Sequence, residues 1–143
     1  MAISKKYRRK IVVNDRCFFW FVTENWSYIE AGWRFVLSII SEDKHFNVSY
    51  GLGQLEAYRY LVSMGSEFPL KNGGTRKGYQ RVRCPQWEKD GAVTPAIVRQ
   101  IIEWSSTYDP NAIKVDWKGR PSTSGFLCQN LSDEELSEMY DRR

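Results

Sequence analysis

The chain has 143 residues with a formal net charge of +4, and 42% of its residues are hydrophobic. That length can bury a core of its own, and an aromatic content of 15% with six tryptophans excludes a disordered chain, which is aromatic-poor. The small charge excess permits a polyanionic partner without requiring one.

Cys17, Cys84 and Cys128 are odd in number, widely spaced and without a neighbouring histidine. Neither a disulfide framework nor a zinc site is indicated, and no metal or cofactor is expected. The basic start, Met1 to Lys10, leads into an apolar run that Asn14, Asp15 and Arg16 interrupt, unlike a secretory signal. No apolar run approaches the about 20 residues that span a bilayer, so we expect a cytoplasmic protein with no membrane partner.

In chain order, Ile11-Val12-Val13 and Arg16 to Val22 flank Asn14-Asp15, a pair that tolerates the positive φ of a tight primed turn. A hairpin is expected there. Cys17 to Phe21 place apolar groups on both faces of the second strand, which predicts a strand inside the sheet with one face under a helix. Glu24 to Gly32 reads as a loop carrying Trp26 and Tyr28, and Trp33 to Ile40 as a third strand. After a turn at Ser41 to Lys44, Phe46, Val48 and Tyr50 alternate with His45, Asn47 and Ser49, the pattern of a strand with one wet face.

From Gly51 to Gly65 the helical and strand periods compete, and we read a strand from about Tyr58 to Met64. Phe68 to Gly78 is rich in Gly and cations and reads as a loop. Tyr79 to Cys84 reads as a short strand stopped by Pro85.

Val93 to Pro110 is the best-written helix. Thr94 is a good N-cap, Pro95 suits the first helical position, and Val93 and Val98 stand at the hydrophobic-staple positions. Ile97, Ile101, Trp104 and Tyr108 form a stripe that Val98 and Ile102 widen, so one face must be buried. Asp109-Pro110 ends the run. Ile113 to Trp117 reads as a last edge strand and Lys118 to Gly125 as a loop. Ser132-Asp133-Glu134-Glu135 is a capping box opening a short C-terminal helix, with Leu131 and Leu136 as its staple.

The expected architecture is a single α+β domain over residues 1–143, with residues 111–143 readable as a C-terminal extension. Its centre is an antiparallel, mostly meander β-sheet curved around one main amphipathic helix. Two pieces of the chain together carry a resemblance. They are the basic lead into Ile11-Val12-Val13 with the hairpin and Phe19-Trp20, and Val93-Thr94-Pro95 with Val98-Arg99 and Ile102. They resemble a group of small bacterial proteins with an N-terminal β-meander and a C-terminal Thr-Pro-x-x-Val-Arg helix. This chain has Thr107-Tyr108-Asp109-Pro110 where that group has Gly-Trp-x-Pro. The resemblance implies the architecture and carries no function.

Candidate chemistry is sparse. His45 is the only histidine and reads as a surface residue beside a turn. Cys84, between Arg83 and Pro85, reads as a small hydrophobe rather than a reactive thiol. The loop from Lys71 to Lys77 lacks the Gly-Lys-Ser/Thr ending of a phosphate cradle, and Glu24, Glu30, Glu56 and Glu67 are not paired at a catalytic or metal-binding spacing. The function expected is a non-catalytic binding or protein-interaction domain, with a protein partner or a second copy contacted through Trp26, Tyr28 and Trp33. The alternative is weak nucleic-acid binding through the basic stretches at 5–10 and 76–83, with Arg76, Lys77, Arg81 and Arg83 as contacts. An enzyme ranks third.

Overall fold

The hairpin turn is set by two residues. Asn14 and Asp15 take φ values of 52° and 64°, the left-handed pair of a primed two-residue turn whose twist matches the strands it joins. The computed structural model describes residues 8–24, 33–71, 80–89 and 92–121. Around that turn β1 (Arg9–Val13) pairs with β2 (Arg16–Glu24), and the chain then continues as a meander. β3 (Phe35–Ser41), β4 (Asn47–Gly51), β5 (Tyr60–Ser63) and β6 (Gln80–Arg83) follow. Every neighbouring pair is antiparallel, and the order across the sheet is the order along the chain.

Alternation decides which side chains meet the helix. Phe18 and Trp20 of β2, Leu37 and Ile39 of β3, Val48 and Tyr50 of β4, Leu61 of β5 and Val82 of β6 share one face and are buried in the main core. Helix α1 (Pro95–Ser105) adds Val98, Ile101 and Ile102 to that cluster. Thr94 Oγ1 accepts from the Ile97 N–H at 3.3 Å, Pro95 occupies the first turn, and Val93 packs against the same core. Arg99 Nη2 donates to the Val12 carbonyl at 3.3 Å, which ties the helix to the edge strand β1.

The second face of the sheet is covered unevenly. One row across it runs Phe21, Ser38, Ser49, Val62, Arg81, each opposite the next. At the β5 end this face is closed by a smaller cluster of Trp33, Tyr60, Val62 and Val115. At the β1 end, Phe19 and Phe21 are half-buried, and the Arg8 guanidinium lies 4.2 Å from the Phe19 ring centroid.

Several sequence expectations need correction. Tyr108 is not part of the buried stripe, because the helix ends at Ser105. Ser106 N–H turns back to the Ile102 carbonyl at 3.0 Å, Thr107 Oγ1 bonds the Glu103 carbonyl at 2.9 Å, and Tyr108 is left exposed. Asp109 N–H then bonds the Leu70 carbonyl at 3.0 Å, joining the helix exit to a single 3₁₀ turn at Pro69–Lys71. Phe68, read as loop, is fully buried at the start of that turn.

Ser49, placed on a wet face, is buried, because its row is flanked by Ser38 and Val62. The expected strand at Ile113 to Trp117 shrinks to isolated bridges, Val82 to Lys114 and Val115 to Pro121. Asp116 is the reason: its Oδ1 accepts from the N–H groups of Lys118 and Arg120 at 2.9 and 3.0 Å, turning the chain before a ladder can extend. The capping box at Ser132 lies outside the described residues.

Candidate functional site

Around β4 and β5 a short connection is held more firmly than its sequence suggests. Gln54 Nε2 donates to the carbonyls of Gly51 and Tyr60 at 3.0 and 2.9 Å, and its Oε1 accepts from the Tyr60 N–H at 3.0 Å. From the helix side two buried residues take the backbone of the same turn. Glu88 Oε2 accepts from the Gly53 N–H at 3.2 Å, and Arg59 Nη2 donates to the Gln54 carbonyl at 2.7 Å. The Glu88 carboxyl is itself fixed by the Tyr50 hydroxyl, 2.6 Å from Oε1.

Burial and the Glu88 carboxyl push the Tyr50 phenol well above its ordinary range. Burial likewise raises the Cys84 thiol, with Arg59 opposing. A thiol so placed is a weak nucleophile, which agrees with reading Cys84 as a packing residue.

The fixed turn presents a 3₁₀ segment, Glu56–Tyr58, with Leu55 and Tyr58 exposed to solvent. Facing it is the turn after Val115. Gly119, at φ 79°, lies directly against the Tyr58 backbone, so closely that an added Cβ would overlap the Tyr58 carbonyl. The Tyr60 hydroxyl donates to the Trp117 carbonyl at 2.7 Å. Between these turns opens a groove of about 300 Å³, lined by Trp33, Gln54, Leu55, Tyr58, Tyr60, Trp117 and Lys118 with Gly53. Trp33 forms its floor, 5.1 Å from the Tyr60 ring centroid, and its own ring fills the space beside Gly51, where a Cβ would overlap it.

Several sequence candidates meet or miss this groove. Trp33 belongs to it but is not an exposed anchor, because it is covered by its packing on Tyr60 and Gly51 and is only 9% exposed. Trp26, Tyr28, Arg76 and Lys77 lie outside the described residues. Arg81 and Arg83 are on β6 and Arg8 to Lys10 lie at β1, so the described parts of the two basic stretches occupy opposite edges of the sheet order. Arg8 and Arg9 also rest over the rings of Phe19 and Trp20, at 4.2 and 5.6 Å from their centroids. His45 is exposed, and its Nδ1 is 3.0 Å from the Ser66 hydroxyl.

The groove residues that sequence reasoning missed are Gly53, Gln54, Leu55, Tyr58, Tyr60, Trp117 and Lys118. A partial signal existed in the conflict of periods from Gly51 to Gly65, which is what a turn carrying exposed apolar residues produces. Glu88 and Arg59 had none, since a buried ion reads from sequence as an exposed one. Comparison of the chain with protein-family models, with curated proteins and with solved structures found no match.

Proposed function

We propose that this chain is a non-catalytic protein-interaction domain whose contact surface is the groove between the Leu55 to Tyr58 turn and the Trp117 to Gly119 turn. One observation carries the reading. Exposed Leu55 and Tyr58 stand on a backbone fixed by the buried Glu88 and Arg59 and by three bonds of the Gln54 side chain. A rigid apolar surface loses little freedom on binding, so more of the contact energy appears as affinity. Tyr and Trp at the lip supply large contact area at low entropic cost.

At about 300 Å³ the groove is at the small end of ligand pockets, with room for an anchor side chain of a partner protein and the backbone beside it. Nucleic-acid binding through the two basic stretches would need them on one surface, whereas β1 and β6 are the outermost strands.

The test is a titration with N-acetyl-tryptophanamide and N-acetyl-leucinamide at millimolar concentration, followed in nitrogen–proton NMR spectra. The amides of Gln54 to Tyr58 and the Trp117 indole should shift together and saturably. In Tyr58→Ala those shifts should be lost while the rest of the spectrum is kept. Shifts scattered over the molecule, or none, would remove the groove as a contact surface.

A further inference from the structure

We infer that the partner segment taken by this groove is an acidic peptide, one apolar anchor side chain flanked by carboxylates; the inference rests on the interaction reading above. The argument is the charge left over once internal pairs are removed. Asp116 is engaged by Arg120, whose Nε is 3.2 Å from Oδ2. Lys118 lies at the groove lip with its ammonium 5.0 Å from the Trp117 ring centroid. Arg83 bonds only carbonyls of the two walls, those of Ala57 and Gly119, both at 3.4 Å, and its Nε is buried without a partner. Among the described residues neither cation has a carboxylate within ion-pair distance, and Glu56 is the single carboxylate on the facing turn.

Lys118 at the lip, with the Arg83 charge behind the two walls, favours carboxylates beside the anchor and disfavours a basic segment through like-charge contact. A nucleic-acid strand is a poorer fit, because successive bases need several free ring faces and only that of Tyr58 is open. Trp33 is packed on Tyr60, and the Trp117 ring carries the Lys118 ammonium. What remains accessible is the Leu55 side chain and the Tyr58 ring, contacts for an aliphatic or aromatic side chain.

The experiment uses the full chain and four probes: acetyl-Glu-Trp-Glu-amide, its Gln-Trp-Gln and Lys-Trp-Lys counterparts, and oligothymidylate. Binding is followed on the Gln54 to Tyr58 amides and the Trp117 indole at low and high salt. The Glu peptide should bind about two- to fivefold more tightly than the Gln peptide, the range of one exposed ion pair. The Lys peptide should be weakest, and the preference should fade in high salt. Lys118→Glu, a change at an exposed side chain, should reverse the order. Equal binding of the Glu and Gln peptides would overturn the acidic-partner inference and leave the groove reading standing. No binding by any peptide would overturn both, and stronger shifts with oligothymidylate than with any peptide would replace both with a nucleic-acid surface.

Discussion

The Tyr50 hydroxyl is 2.6 Å from Glu88 Oε1, and both side chains are buried, Tyr50 at 1% and Glu88 at 3% exposure. Tyr50 comes from the middle of the sheet and Glu88 from the irregular segment after β6, so this bond joins the sheet to the segment that leads into the helix. Through its other oxygen Glu88 holds Gly53, the first residue of the turn that carries the groove wall. The groove is thus supported from inside the core.

Removing the hydroxyl leaves a buried carboxyl oxygen short of a donor. Tyr50→Phe should destabilise the protein by about 1–3 kcal/mol, the cost of an unsatisfied buried polar group. Glu88→Ala should cost more, since it orphans both the phenol and the Gly53 N–H, and it should loosen the turn. Urea denaturation gives the first quantity and hydrogen exchange at Gly53 the second. An unchanged exchange rate in Glu88→Ala would show that the turn does not depend on this bond.

Ile101 is fully buried at the centre of the helix face, against the sheet. Ile101→Ala should destabilise by about 2–5 kcal/mol, as deletions in packed cores do. A change below about 0.5 kcal/mol, the scale of surface substitutions, would mean that the helix presents a different face.

The strand order and the helix were legible because they rest on local chemistry: positive-φ Asn14-Asp15, the Phe46-Val48-Tyr50 alternation, the Thr94-Pro95 cap. The groove was not, because its parts come from three distant places in the chain and are brought together only by the sheet. Trp117 and Tyr60 are joined by a bond spanning 57 residues, and Tyr50 and Glu88 by one spanning 38. Tyr108 failed for a different reason. Its spacing fits the helical stripe, but Thr107 and Asp109 offer the backbone competing bonds that stop the helix first.

At the other end of the sheet, the Asp43 carboxyl is held at about 2, below its ordinary value of 3.8. The largest cause is the hydrogen bond from the Ser41 hydroxyl, followed by the His45 N–H, with Arg16 adding charge. Arg16 also forks onto both oxygens of Glu67, at 2.7 and 2.9 Å. Because the folded value is depressed, this contribution to stability is complete above pH 3.8 and is lost as pH falls through about 2. An NMR titration should therefore find the Asp43 midpoint near 2, and Ser41→Ala should move it toward 3.8. A midpoint already at the ordinary value in the unmodified protein would show that the Ser41 bond does not persist in solution.

Gly119 and Gly53 make a matched pair for testing how the groove is built. Both have positive φ, 79° and 75°, so alanine at either position meets the left-handed penalty of about 1–2 kcal/mol. At Gly53 nothing lies near the added Cβ, whereas at Gly119 it meets the backbone of Tyr58. Gly119→Ala should therefore be the more destabilising, with the excess over Gly53→Ala measuring the cost of separating the two walls. It should also shift the Tyr58 amide and weaken the bond from the Tyr60 hydroxyl to the Trp117 carbonyl, while Gly53→Ala leaves both unchanged. Equal denaturation midpoints for the two variants, with Tyr58 unmoved in each, would mean that the Gly119 turn does not press on the Tyr58 backbone and that the groove walls are set independently.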